Sequence, residues 1–388
     1  MLQVVFWIAI GVVTYTFLGY GILIGFLVKL KGLFSKKVNQ PEKEFLPEVS
    51  LVVPCYNEAD IIKNKILNSI GLEYPKEKLR IFFITDGSSD NFKEVLAEFP
   101  QVKLLHEDRR AGKTAAENRA MKFVSSPIVV FTDANTILNG MAIKNIVRHF
   151  RDEKVGCVSG EKRVLVEEED SASSAGEGMY WKYESFLKKM DSKLYSAVGA
   201  AGELVAFRSD LYRDLPEDTI LDDFMQSLLI ASDGYRIVYE PEAYAMETGS
   251  DSTGEELKRK IRISAGGWQS MKRLFFKITP FNHPVLYFQY LSHRVLRWTI
   301  TPFLLVLIFF ANFFLLNQGM IYQLLMLSQL FFYAAALLGY FLESRKIRVK
   351  ILFVPFYFCM MNYAVVAGLI RFTKGSQKST WEKAKRKS

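Results

Sequence analysis

Cysteine is scarce in this sequence. The 388 residues hold three, Cys55, Cys157 and Cys359, in unrelated settings. Neither a disulfide framework nor a cysteine metal site can be built from that spacing, and the scarcity suits a reducing compartment. Charge is absent over long stretches: no Asp, Glu, Lys or Arg occurs in Leu2–Val28, Trp298–Leu342 or Ile351–Ile370. A helix of roughly 20 apolar residues spans the hydrocarbon core of a bilayer. The first and third stretches therefore fit one crossing each. The middle one fits two, with Asn317-Gln318-Gly319 as a polar break. Such lengths exclude an ordinary soluble enzyme. The first segment also lacks the marks of a cleaved signal: no basic region precedes it, its apolar run is too long, and no small-residue cleavage site follows.

Other absences narrow the function. A membrane-bound Rossmann oxidoreductase would carry G-x-G-x-x-G after its first strand, where Pro54-Cys55-Tyr56 stands instead. A transporter, or a receptor with a nucleotide-sensing domain, would show repeated helix bundles with polar residues at mid-membrane. The apolar segments here are few and hold no internal charge. No basic stripe with a nucleic-acid-reading motif is present, so nucleic acid is not an expected partner. The net charge of +9 comes largely from Lys29–Lys37, Arg345–Lys350 and Lys374–Lys387, beside the apolar segments. Clusters there anchor a chain at anionic lipid headgroups.

The lysines after the first segment place the N-terminus outside and the following domain in the cytoplasm. The expected organisation is an N-terminal transmembrane helix (1–30), a linker (31–47), a cytoplasmic domain (48–276), an interfacial helix (277–297), C-terminal transmembrane segments (298–371) and a basic tail (372–388). Four full crossings would leave the basic tail outside, against the positive-inside rule. The expectation that reconciles them is that Ile351–Ile370, which contains Pro355, only dips into the membrane.

Within the domain, Val49–Val53, Ile81–Ile84, Val102–Leu105 and Ile128–Phe131 read as strands. Ala59–Ile70, Phe92–Phe99, Lys113–Val124 and Met141–Phe150 have helical spacing. Alternating strands and helices imply a mainly parallel α/β sheet with a ligand at the carboxyl ends of the strands. Further on, Val198–Phe207 and Arg236–Glu240 read as strands, Leu221–Ser232 as a helix, and Thr253–Phe276 as a long basic amphipathic helix. His283–Arg297 mixes aromatics with His and Arg, as a helix at a membrane interface does.

The polar motifs fall at the strand ends. Pro54-Cys55-Tyr56-Asn57-Glu58 ends the first strand: proline stops ladder pairing, Asn57 can cap the next helix, and Glu58 can hold a polar ligand. Asp86-Gly87-Ser88-Ser89-Asp90 ends the second, where Asp86 can accept from a nucleobase or ribose, or the segment is a turn with Asp90 as a cap. Gly112-Lys113 opens a helix, as in a phosphate-binding loop, but that motif's first glycine would fall at His106 or Glu107. Lys113 either holds a diphosphate or is a solvated surface lysine. Asp133-Ala134-Asn135 ends the fourth strand, suited to share Mg²⁺ or Mn²⁺, or to form an Asx turn. Asp222-Asp223 opens a helix, where a carboxylate serves as general base or as cap. Arg259, Arg262 and Trp268 follow on the basic helix, the arginines free to snorkel toward headgroups.

In order and spacing these motifs resemble family 2 glycosyltransferases over roughly residues 45–275. With its flanking apolar segments the chain is most similar to the membrane-bound branch that contains hyaluronan, cellulose and poly-N-acetylglucosamine synthases. The resemblance implies a type-A glycosyltransferase fold, Rossmann-like, flanked by transmembrane helices. It implies an inverting enzyme that takes a sugar from a UDP-sugar or another nucleotide-sugar donor to a glycan or lipid-linked acceptor. By motif, Pro54, Tyr56 and Glu58 match the first nucleotide-binding element, Asp86 the contact to uracil or uridine, and Lys113 the lysine near the donor. Asp133 and Asn135 match the metal motif for a divalent cation, Asp223 the base, and Arg262 the arginine facing the diphosphate. Three positions depart from the pattern: Asn135 replaces a charged ligand, Leu221-Asp222-Asp223 stands for TED, and Ile263 replaces the tryptophan that platforms an acceptor sugar. Thr380-Trp381-Glu382-Lys383 loosely resembles a cytoplasmic tryptophan-and-basic element of some polysaccharide synthases. The implied location is a bacterial-type cytoplasmic membrane.

Overall fold

The computed structural model describes residues 1–34, 44–165, 172–249, 252–345, 347 and 349–378, without the side chains of 172–180 and 350. Part of the expected linker, and the Thr380–Lys383 element with most of the basic tail, lie outside these residues. The chain opens with a continuous apolar helix: α1 (Leu2–Thr14), a π turn (Tyr15–Gly19) and α2 (Tyr20–Phe34). An α/β unit follows, with β1 (Val49–Cys55), α3 (Ala59–Ile70), β2 (Leu79–Asp86), α4 (Phe92–Ala97), β3 (Val102–Glu107), α5 (Lys113–Met121) and β4 (Ile128–Phe131). Then come β5 (Ile137–Leu138), α6 (Ala142–Val147), β6 (Val155–Leu165), α7 (Ala172–Leu194), β7 (Val205–Arg208), α8 (Asp222–Ser232), β8 (Arg236–Thr248) and α9 (Thr253–Leu274). The C-terminal part holds α10 (Pro284–Tyr290), a π turn (Leu291–Val295), α11 (Leu296–Trp298), α12 (Ile300–Leu315), α13 (Met320–Ser344) and α14 (Lys350–Thr373).

One eight-stranded sheet runs in the order β3-β2-β1-β4-β7-β6-β8-β5. The half built from β3, β2, β1 and β4 is parallel, as the strand–helix alternation requires. Beyond β4 the sheet is mixed: β7 is antiparallel to both β4 and β6, β8 parallel to β6, and β5 antiparallel to β8. Every residue of β1 is buried. Leu51 and Val53 face the layer with Ile62 and Ile66 of α3, whereas Val52 faces Ala116 and Ala120 of α5. A continuous apolar strand covered on both faces is the signature of a central parallel strand. Burying each such side chain contributes about 1.5–3 kcal/mol. Pro54 limits pairing on one side only: contact with β4 ends at Val52↔Phe131, while pairing with β2 continues to Cys55↔Thr85.

Two expected elements differ. The strand expected at Val198–Phe207 is confined to Val205–Arg208. Gly199 takes φ +81°, a left-handed conformation that breaks extension, and Leu204 N–H donates to the Ala201 carbonyl in a tight turn. In His283–Arg297 the charged face turns inward. His293 (0% exposed), Arg294 and Arg297 meet Glu184 and Asp191 of α7, because buried charges persist where they are paired.

Among the described residues four helices are long and apolar enough to cross a membrane: Leu2–Phe34, Ile300–Gln318, Met320–Ser344 and Ile351–Thr373. The break between the second and third falls at a 3₁₀ turn, Leu316–Gln318, before Gly319. Phe6 and Ala9 of α1 pack with Ile308, Ala311 and Leu315 of α12 and Tyr322 of α13. Ile8, Phe310, Phe314, Leu327 and Phe331 face outward, exposed. An apolar outer belt of this kind fits an integral membrane protein. α14 behaves differently and lies along α9, with Tyr357 donating to Glu256 Oε1 at 3.4 Å and Gly368 seated against Ser264 and Ala265.

Candidate active site

The loops after β1 and β2 clip each other in place. Asn57, at φ +52°, accepts from the Ser89 amide (2.8 Å) and gives its own N–H to Ser88 Oγ (3.1 Å). Asp90 Oδ2 accepts from the Ala59 amide at 2.7 Å, so the cap on α3 comes from the β2 loop and not from Asn57. Asp86 (1% exposed) accepts through Oδ2 from the amides of Ala111 and Gly112, at 2.9 and 2.7 Å. Its Oδ1 lies 3.6 Å from Arg119 and has no hydrogen-bond partner. This pins the loop before α5, where the Arg110 guanidinium stacks 3.7 Å above the Tyr56 ring.

α5 then carries Lys113 into the centre. Its Nζ donates to Asp133 Oδ1 at 2.7 Å and lies 3.8 Å from Asp222 and 3.9 Å from Glu117. Burial opposes its charge, but Asp133, Asp222 and Glu117 together hold it well above the ordinary lysine value. It is no solvated surface lysine. Burial, then Asp222, push Glu117 well above the usual carboxylate range, while Lys113 holds Asp222 down against its burial. Asp223 is pushed up to about 7 by burial and by the Asp222 carboxylate, with Lys113 opposing.

Beneath the Asp133–Asn135 turn lies Lys65, fully buried on α3. Its Nζ donates to Thr132 Oγ1 (3.0 Å), the Thr136 carbonyl (2.8 Å) and Thr136 Oγ1 (3.1 Å). Burial lowers it to about 7. Arg262, on α9, reaches the Ile220 carbonyl at 3.4 Å through Nη2, while its Nε is buried without a hydrogen-bond partner. Burial lowers it, and Asp222 and Asp223 work the other way. Arg259 binds Glu203 at 3.1 Å, beside Lys162 at 3.0 Å from the same carboxylate; both arginines thus point inward, not toward headgroups.

These groups open on one cavity of about 1530 Å³, lined by Pro54, Glu58, Lys113, Asp133, Asn135, Asp223 and Arg262. Tyr56 and Asp86 stand one layer behind it, against the Arg110–Gly112 loop. Of the tryptophans, Trp181 and Trp298 line the cavity, from α7 and α11. The opposite wall is Phe17 with Phe353, Tyr357, Phe358 and Met361 of α14. Sequence reading missed Lys65, Glu117 and Arg110. Lys65 had a signal, since it falls on the buried stripe of α3 with Ile62, Ile66 and Ser69. Glu117 lies one turn after Lys113, a spacing at which side chains meet.

As ligands for a divalent cation the chain offers the oxygens of Asp133 and Asn135. Among the described residues no group of three or more His, Cys, Asp or Glu could hold a metal ion. Hard oxygen donors few in number suit Mg²⁺ or Mn²⁺, which take substrate phosphates as further ligands. Carboxylates, lysine and arginine gathered at the carboxyl ends of an α/β sheet, beside apolar helices, define a membrane-associated transferase of the type-A glycosyltransferase fold. Residues 50–215 match the family model Glycosyl transferase family 2, and the chain carries a family 2 glycosyltransferase domain.

Its relatives agree. The chain is 25% identical over 300 residues to the poly-beta-1,6-N-acetyl-D-glucosamine synthase of Staphylococcus epidermidis, covering 74% of this chain and 71% of that protein. It is 30% identical over 243 residues to the enzyme of the same name from Staphylococcus aureus, covering 60% and 57%. The fold superposes with TM-score 0.72 on a mannosyltransferase of Pyrobaculum calidifontis solved in complex with GDP-Man and Mn²⁺. That likeness covers 97% of this chain and 100% of the other, at 22% identity.

Proposed function

We propose that the chain transfers a sugar, with inversion at the anomeric carbon, from a UDP-sugar or another nucleotide sugar to a membrane-held glycan or lipid-linked acceptor. The observation that carries this reading is that the same cavity reaches from Asp133, Asp223 and Arg262 to the apolar wall of α14. An acceptor hydroxyl attacks the anomeric carbon, the bond from that carbon to the donor phosphate oxygen breaks, and its electron pair leaves with the nucleoside diphosphate. Asp223 takes the hydroxyl proton; a carboxylate raised to about 7 is well matched to that task. Arg262 and Lys113 neutralise charge that grows on the leaving diphosphate. Asp133 and Asn135 would hold Mg²⁺ or Mn²⁺, which supplies further charge neutralisation when bound. Pro54, Tyr56 and Glu58 shape the donor side, with Asp86 holding the loop behind it. The positive-inside rule supports a cytoplasmic domain on a bacterial-type inner membrane.

A second reading, a processive synthase of the poly-N-acetylglucosamine or hyaluronan type, is favoured by the names of the staphylococcal relatives. Ile263, in place of a tryptophan, favours single transfer. Purified enzyme supplied with labelled UDP-GlcNAc, UDP-glucose and GDP-mannose separates the two by product length and identifies the donor. Asp223→Asn is expected to lower transfer by about 10²–10⁴-fold, the usual worth of a general base. Full activity in that variant would overturn the base assignment.

A further inference from the structure

The membrane-side end of the cavity holds a cation for which the transfer step has no use. Arg297 (9% exposed) lies on α11 and lines the cavity. Its Nη1 donates to Glu184 Oε2 at 3.2 Å, but Nε and Nη2 are buried with no hydrogen-bond partner. Buried donors left unmade are rare and call for an explanation. Glu184 does not balance the local charge, because it binds Arg294 as well, so two guanidiniums share one carboxylate. Asp191, one further carboxylate of α7, is taken up by His293, Gln289 and Tyr20. Lys188, one turn beyond Glu184 on α7, also lines the cavity.

From Arg297 a short path leads to an apolar surface. The Tyr183 ring lies 5.9 Å from the guanidinium, and its hydroxyl donates to the Phe17 carbonyl at 2.7 Å. The Phe17 ring stands edge-on to Phe358 of α14 at 4.9 Å. Along α14, Val354 and Ile351 are exposed, extending this wall outward. On the other side Trp298, next to Arg297, packs against Phe224, the neighbour of Asp223.

We propose that this end binds the phosphate headgroup of a lipid whose hydrocarbon chain lies along α14, with the rest of the head presented toward Asp223. The two unused donors of Arg297, with the second guanidinium of Arg294 beside them on the same carboxylate, select an anion, and planar N–H forks suit phosphate oxygens. The aromatic and aliphatic wall selects a chain over a free anion. Given the glycosyltransferase reading above, the acceptor is then a phosphate-linked lipid; the binding itself does not depend on that reading.

The test uses full-length protein in a neutral detergent, with farnesyl phosphate, farnesol and inorganic phosphate as probes in equilibrium dialysis. Farnesyl phosphate is expected to bind more tightly than either of the others. Arg297→Gln is expected to weaken it about tenfold or more, as loss of a charge-assisted contact does. Arg297→Lys should recover part of that loss, and Met361→Trp, which fills the apolar wall, should weaken farnesyl phosphate alone. Equal binding of farnesol, equal binding of inorganic phosphate, or no effect of Arg297→Gln would each overturn the proposal. UDP and GDP affinities measured on every variant report folding and the donor side. Intact nucleotide binding with no lipid-phosphate binding defeats this inference alone, whereas failure to bind or turn over any nucleotide sugar defeats the glycosyltransferase reading.

Discussion

Burial and the neighbouring Asp222 push Asp223 up to about 7, and that sets a direction for pH dependence. A base acts in its ionised form, so kcat/KM for transfer is expected to climb as pH rises through about 7 and to level above it. Lys113 pulls in the opposite sense, so Lys113→Met is expected to move that limb to higher pH, whatever it does to donor affinity. A pH–rate profile in which the limb stays put would separate Lys113 from the base. Lys65 carries a second expectation. It binds both threonines that bracket the Asp133–Asn135 turn, so Lys65→Met is expected to loosen the cation ligands. The Mn²⁺ concentration for half-maximal activity should rise by about 10–100-fold, the usual cost of losing a group that orients metal ligands. An unchanged activation curve would leave Lys65 as packing alone. Asp133, Asp223 and Lys113 were legible because each falls at a strand end or helix start, where local spacing announces it. Lys65 and Arg110 act through contacts 67 residues away (Lys65 to Thr132) or across loops (Arg110 to Tyr56), which local spacing does not encode.

At the scale of elements, the parallel half of the sheet follows from apolar runs alternating with helical spacing. The mixed half does not, because β7 is only Val205–Arg208 and its antiparallel pairing with β4 and β6 leaves no mark in its spacing. The two π turns, Tyr15–Gly19 and Leu291–Val295, leave no periodic trace either, since each inserts a residue into an otherwise regular helix. They meet in space, with the Tyr15 hydroxyl 2.8 Å from Ser292 Oγ. The contact between α9 and α14 was equally hidden, and it matters most for the site. α9 carries Arg262 while α14 supplies the apolar wall, so their separation sets the width of the cavity. At Gly368 a Cβ would come within 2.5 Å of Ser264 Cβ and 2.8 Å of the Ala265 amide nitrogen. Gly368→Leu is therefore expected to force the helices apart, costing about 1–3 kcal/mol. Transfer should fall while nucleotide binding persists, because the strand-end loops lie on other elements. Thermal unfolding and nucleotide titration check both halves, and unchanged transfer would mean that α14 does not shape the acceptor side.

For the whole molecule, the open question from the sequence was how four apolar segments could leave a basic C-terminus on the favoured side. The packing of α14 bears on it. Near the start of α1 Trp7 meets Tyr322 of α13, and its continuation α2 reaches α7, where Lys31 Nζ donates to the Lys193 and Leu194 carbonyls at 2.9 and 2.6 Å. α12 leaves from beside Phe224, and α13 returns to the domain, where Thr253 donates to Glu343 at 2.8 Å. α14 is about 36 Å long at 1.5 Å per residue, enough to cross, yet it runs along α9 from Tyr357 to Gly368. Just past its end, Ser376 and Lys378 line the same cavity as Lys113 and Asp223. We propose from this packing that both ends of α14 lie on the domain side, in keeping with the expected dip. In that arrangement Lys29, Lys31, Arg345, Lys374 and Lys378 would share one side, and three crossings would obey the positive-inside rule. A C-terminal tag is accordingly expected to resist protease in intact cells and to be cut in inverted vesicles, together with the catalytic domain, while an N-terminal tag does the reverse. A C-terminal tag cleaved from outside intact cells would require α14 to leave α9 and cross, which would also dismantle the wall that the proposed lipid chain needs.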